Sequence, residues 1–188
     1  MHIDAGEVAR LINASQALPG AWIPHITELR LERSYITDLR PVAALTELRR
    51  LFLTRSRIAD IAPLATLSKL RRLHLSFTAV ADIAAVAAMT ELEGCFLTGS
   101  FVADVSPLAT LNKLQRLDLG GTRVSDVTPL AGLHELQSLD LSDTPIGNIE
   151  PLRRLTKLLY LDLRGTQFAD QVASWQTAAI LLPSRSRR

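Results

Sequence analysis

Three columns of aliphatic residues run through this chain at a constant spacing of 22 residues, over six steps and with no insertion. The first reads Ile26, Leu48, Leu70, Leu92, Leu114, Leu136 and Leu158. The second reads Leu29, Leu51, Leu73, Cys95, Leu117, Leu139 and Leu161, and the third Leu31, Leu53, Leu75, Leu97, Leu119, Leu141 and Leu163. A unit of this size cannot bury its own leucines. Successive units must stack, so that each leucine rests on its counterpart in the next coil and the core becomes continuous along the array.

Each unit has two halves. The first, as in LRRLFLT from Leu48, has an L-x-L centre of period two, which predicts a short strand with one apolar and one free face. The second, as in IADIAPLATL from Ile58, is apolar at closer spacing and carries proline, which predicts a turn and a short 3₁₀ or helical segment. With aromatics at 5% of the chain, the core must be aliphatic.

The run L-x-x-L-x-L-x-x-T-x-V-x-D-V-x-P-L from Leu114 resembles the leucine-rich repeat family, in its 22-residue class of internalin-like bacterial proteins and phosphatase-regulating scaffolds. The resemblance covers residues 26 to about 170. It implies an α/β solenoid of seven coils, with a short parallel sheet on the concave face, 3₁₀ or short helical segments on the convex side, and a protein as partner. The family's usual asparagine is replaced by Ser34, Ser56, Thr78, Ser100, Thr122, Thr144 and Thr166. A hydroxyl there is expected to donate to a carbonyl of a neighbouring coil.

The organisation expected is an N-terminal helical cap over 1–25, the repeats over 26–170, a C-terminal helical cap over 171–182 and a flexible basic tail over 183–188. Edge coils need such caps. Within residues 4–18, Val8, Leu11, Ile12, Ser15 and Leu18 follow helical spacing, Asp4 with Glu7 resembles a capping box, and Pro19-Gly20 is a stop signal. At the other end, Val172, Trp175, Ala179 and Leu182 form a helical stripe expected to lay Trp175 over the last coil.

Charge and motifs exclude several functions. The net charge is +2, and Arg185, Arg187 and Arg188 in the tail account for it, leaving the body about neutral. A general nucleic-acid binder needs a strongly basic face, so none is expected. Cys95, the single cysteine, permits no internal disulfide and no cysteine zinc site, and in a leucine column it reads as a buried, inert thiol. No apolar run has the length of a membrane span and no signal peptide is visible, so a cytoplasmic location is the default expectation unless the chain is a fragment of a longer protein, with non-classical secretion as the alternative; a monomer is favoured. No metal-ligand spacing, nucleophile motif or phosphate loop occurs, which points away from enzyme chemistry and from any cofactor.

Two acidic columns differ in meaning. Asp38, Asp60, Asp82, Asp104, Asp126, Asn148 and Asp170 are expected to accept backbone N–H groups two residues on and so set up the following turn; Asn serves this as well as Asp. Asp118, Asp140 and Asp162 lie between the second and third leucines and are expected on the solvent side of the sheet, stacked about 4.8 Å apart. They read as a solvated acidic stripe, a contact for a basic partner, or a cation site.

Recognition is expected from the outward strand positions that vary. The middle column is Arg30, Phe52, His74, Phe96, Asp118, Asp140 and Asp162; the one before it is Glu28, Arg50, Arg72, Gly94, Arg116, Ser138 and Tyr160. Phe52, His74 and Phe96 are expected to form an exposed stripe flanked by Arg50 and Arg72, with Arg55 and Phe77 at the rim, and exposed aromatics beside arginines are the material of binding hot spots. The partner-binding residues expected are therefore Arg50, Phe52, Arg72, His74, Phe96, Arg116, Asp118, Asp140, Tyr160 and Asp162, on a face polarised from basic–aromatic to acidic. The alternative is a regulatory or targeting fragment of a larger enzyme or secreted effector, with its chemistry outside this chain.

Overall fold

The structure is a computed structural model, and it describes residues 5–14, 16 and 18–171. Seven short strands form one parallel sheet in sequence order: β1 (Glu28–Arg30), β2 (Arg50–Phe52), β3 (Arg72–His74), β4 (Gly94–Phe96), β5 (Arg116–Asp118), β6 (Ser138–Asp140) and β7 (Tyr160–Asp162). Register follows the period of 22 throughout: Leu29 pairs Leu51, and Leu139 pairs Leu161. The ladder continues past each strand, with Leu31 N–H donating to Phe52 O at 2.8 Å and Arg33 N–H to Thr54 O at 2.9 Å.

The return half of most coils carries one 3₁₀ turn, such as Ala62–Thr66 and Thr128–Gly132. Proline sits in the first positions of these two, where its missing N–H has no intrahelical partner to lose. The three leucine columns and the aliphatic residues of the return half are buried along the whole array. Burial of this kind stabilises by about 25 cal/mol per Å² of apolar surface, so the core repeats its contribution coil by coil.

Six members of the turn column behave as expected; for Asp170 the residue two positions on falls outside the described residues. Asp38, Asp60, Asp82, Asp104, Asp126 and Asn148 each accept the backbone N–H two residues on, at 2.8–2.9 Å. The hydroxyl column departs from expectation. Ser34, Thr78, Thr122, Thr144 and Thr166 donate to the carbonyl three residues earlier in their own coil, not to a neighbouring coil. At this position the i−3 carbonyl of the same turn lies within reach of the hydroxyl and accepts its hydrogen bond. The buried Ser56 and Ser100 hydroxyls have no partner among the described residues.

At the N-terminal end, α1 (Ala5–Asn13) buries Val8 and Ile12 against the first coil. It ends well before Pro19-Gly20, because Gln16 N–H closes on Leu11 O at 2.8 Å, the 6→1 bond that terminates helices. Asp4 of the expected capping box, Ser15, the expected helix over 171–182 with Trp175, and the expected basic tail over 183–188 fall outside the described residues, apart from Gln171.

Candidate functional site

Strand alternation sends the residues between the leucines away from the core, onto the open face of the sheet. Phe52, His74 and Phe96 are paired neighbours in β2, β3 and β4. Their rings form one pile: Phe52 to His74 is 4.5 Å between centroids with planes 21° apart, and His74 to Phe96 is 4.2 Å and 8°. The Arg30 guanidinium caps the pile 4.1 Å above Phe52. Gly94 makes room at the far end, since a Cβ there would meet Phe96 Cε2 at 3.1 Å.

The three rings are thus half-buried against each other and not freely exposed, which corrects the picture of separate exposed anchors. Ring faces are used up inside the pile, and the ring edges look outward. Those edges carry the positive end of the quadrupole. Burial and the neighbouring Arg72 hold the His74 imidazolium below its usual pKa, so His74 is neutral at neutral pH.

The flanking arginines are not equivalent. Arg50 is tied to Glu28 at 2.8 Å and is not the free charge that the sequence suggested. Arg72 and Arg116 are exposed and form no ion pair among the described residues.

The acidic half is more enclosed than expected. Asp118 and Asp140 are half-buried, and Asp162 is buried outright, at 0% exposure. Each folds back on its own coil, accepting the N–H of Gly120 at 3.2 Å, Ser142 at 2.8 Å and Arg164 at 3.0 Å. The solvated stripe is therefore a second series of side-chain turns, covered from the side by its own chain. Burial raises the Asp118 pKa, and repulsion from Asp140 and Asp162 adds to it, against hydrogen bonds from Thr98 and Gly120. Burial also pushes Asp162 upward, but the Arg164 guanidinium outweighs it and the net pKa is lowered. Tyr160 donates its hydroxyl to Asp162 at 3.2 Å, which leaves both engaged within the chain.

No family model and no curated protein matches the sequence. Solved structures do. An internalin C2 from Listeria monocytogenes superposes with a TM-score of 0.79 at 28% identity, over 86% of this chain and 74% of that one. An internalin from the same organism, inlF, matches with a TM-score of 0.66 at 27% identity, over 87% of this chain and 55% of that one. The chain is a leucine-rich repeat protein. It spans only about half the length of that second internalin. The leucine-rich repeat ectodomain of a plant membrane receptor kinase from Arabidopsis thaliana, solved in complex with CASPARIAN STRIP INTEGRITY FACTOR 2, matches at 21% identity with a TM-score of 0.66, over 80% of this chain and 20% of that one.

Within the leucine-rich repeat array, Cys95 is fully buried in its leucine column, and burial pushes its thiol up to about 12. Among the described residues no group of His, Cys, Asp and Glu is placed to hold a metal ion, and no helix is long and apolar enough to cross a membrane. Sequence reasoning placed Arg55 and Phe77 at the rim of the aromatic patch but missed the rest of the edge where the strands end. Tyr35 and Phe101 are exposed there beside Phe77, and the column Arg33, Arg55, Phe77, Gly99, Gly121, Asp143 and Gly165 has positive φ throughout. Gly99, Gly121 and Gly165, which share one column of the 22-residue repeat, were the available signal.

Proposed function

We propose that this leucine-rich repeat chain is a non-enzymatic recognition module that holds a protein partner against the open, concave face of its sheet. The observation that carries this reading is the order along that face: Arg30, then the Phe52–His74–Phe96 pile, then Asp118 and Asp140. Parallel pairing sets these groups in one line on a rigid ladder. A partner with an acidic patch beside a basic one matches the line in a single register. The exposed Arg72 and Arg116 supply charge at its flank, and pre-organised side chains lose little entropy on contact. The plant ectodomain solved with its bound factor is a precedent for recognition by this fold.

The test is a partner isolated on the immobilised wild-type chain and then titrated in purified form. Changing Arg72→Glu with Arg116→Glu is expected to weaken binding on the order of tenfold or more, while Lys157→Ala, whose ammonium is paired with Glu135 ahead of the strands, leaves it intact. Wild-type affinity in the double variant removes the open face from the interface.

A further inference from the structure

Two edges border the sheet, and their surfaces differ in kind. Among the described residues, the edge where strands begin mixes ion pairs with unpaired cations: Glu47 pairs Lys69 at 2.5 Å, Glu91 pairs Lys113 at 2.6 Å and Glu135 pairs Lys157 at 2.6 Å, beside the exposed Arg72 and Arg116. The edge where strands end combines unpaired arginines with exposed rings. Three of the four exposed large apolar side chains among the described residues lie on it: Tyr35 at 78% exposure, Phe77 at 52% and Phe101 at 48%.

Each of these rings carries a guanidinium from the adjacent coil. Arg57 stands 4.6 Å from the Tyr35 centroid, Arg55 5.2 Å from Phe77, and Arg123 4.7 Å from Phe101. Stacking occupies the flat face of a guanidinium and leaves its in-plane N–H fork free for a carboxylate. None of Arg33, Arg55, Arg57 and Arg123 forms an ion pair among the described residues.

The backbone points the same way. Arg33, Arg55 and Phe77 hold φ of 55°, 59° and 57°, where the next two coils place Gly99 and Gly121. The coil accepts glycine here, and a bulky side chain in this left-handed region is strained. Strained side chains that remain exposed serve contact better than they serve the fold. A groove of about 580 Å³ joins this edge to the aromatic pile; Arg30, Arg33, Arg55, Phe52 and Phe77 are in its lining, and its one carboxylate, Glu32, is paired with Arg30 at 3.4 Å.

We propose that the strand-end edge of the first five coils is the docking strip for a short, extended, acidic segment of a protein partner. Its carboxylates meet the forks of Arg33, Arg55, Arg57 and Arg123, and its apolar side chains cover Tyr35, Phe77 and Phe101. From Tyr35 to Arg123 is four coil steps, about 19 Å, which an extended segment of about six residues spans. A nucleic acid fits less well, because the same molecule carries a net charge of only +2 and Asp118 and Asp140 lie on the neighbouring face. This proposal rests on the chain being a protein-recognition module, but not on the open face being its contact.

The probe is a fluorescein-labelled random copolymer of glutamate and tyrosine, read by anisotropy, with labelled oligothymidylate alongside. Wild type is expected to bind the copolymer more tightly than the oligonucleotide. The strip variant Arg55→Glu, Arg57→Glu, Arg123→Glu is expected to lose on the order of tenfold or more in affinity, more than the open-face variant Arg72→Glu, Arg116→Glu loses, while Lys69→Ala with Lys113→Ala, in the ion-paired row before the strands, keeps it. Phe77→Gly separates contact from fold: copolymer binding falls while the thermal midpoint is kept or raised. Copolymer affinity unchanged in the strip variant or in Phe77→Gly overturns the proposal, as does tighter binding of oligothymidylate. Loss confined to the open-face variant overturns the strip but leaves recognition through the sheet standing.

Discussion

The imidazole of His74 lies 4.2 Å from the Phe96 ring and within 8° of parallel to it. It is therefore a structural member of an aromatic pile, and its charge state is linked to stability. Burial and Arg72 lower its folded pKa below the ordinary 6.5. Between the folded and unfolded values the unfolded chain binds more protons, so stability rises with pH there and is lost as pH falls. His74→Phe is expected to keep the pile and abolish this dependence. Denaturation midpoints of the two proteins, compared from about pH 7 down to about pH 5, should diverge as acid is added. Parallel curves would show that His74 does not titrate against folding.

Asp118 carries the opposite sign. Its folded pKa is raised above 3.8, chiefly by burial, so the folded state binds the extra proton and stability falls as pH rises through the folded value. Asp118→Asn keeps an oxygen for the Gly120 N–H and removes the charge beside Asp140. The variant is expected to melt higher than wild type at neutral pH, with the gain shrinking as pH falls through the raised folded value and gone below about pH 4. An unchanged midpoint at neutral pH would count against the burial.

The in/out register has its own test. Leu117 is 2% exposed in the stacked core, and Leu117→Ala is expected to cost about 2–5 kcal/mol by opening a cavity. Phe96→Ala removes a half-buried ring and one stacking contact, and is expected to cost about 1–2 kcal/mol. Chemical denaturation of both variants reads the difference; equal losses would contradict the register.

Asp126 accepts the Thr128 N–H at 2.8 Å, and Asn148 accepts that of Glu150 at 2.9 Å. Asn148→Asp preserves the acceptor and should leave the midpoint where it is. Asp126→Ala removes it and should lower the midpoint, by less than Leu117→Ala does.

Cys95, with its thiol pushed up to about 12, should resist alkylation in the folded chain. Iodoacetamide at about pH 8 is expected to modify it on the order of a hundredfold more slowly than in denaturant. Equal rates would mean that the fourth coil opens readily.

The sequence by itself determined the coil count, the strand positions, the leucine columns and the turn-forming Asp column. In a stacked array each unit touches only its neighbours, so burial is a local, periodic demand, and three columns at spacing 22 record it directly. Which open-face residues are available to a partner was decided by the tertiary structure. Phe52, His74 and Phe96 share one column in the sequence whether they are exposed or stacked; the coil spacing, close to the thickness of an aromatic ring, made them a pile. Asp162 and Arg50 look solvent-free to pair in the sequence, yet Arg164 and Glu28 hold them, because those partners come within reach only once the backbone has turned. The strand-end edge lay furthest from view. Left-handed φ leaves a trace in sequence where glycine occupies it, as at Gly99, Gly121 and Gly165, and leaves none where Arg33, Arg55 and Phe77 take the strain.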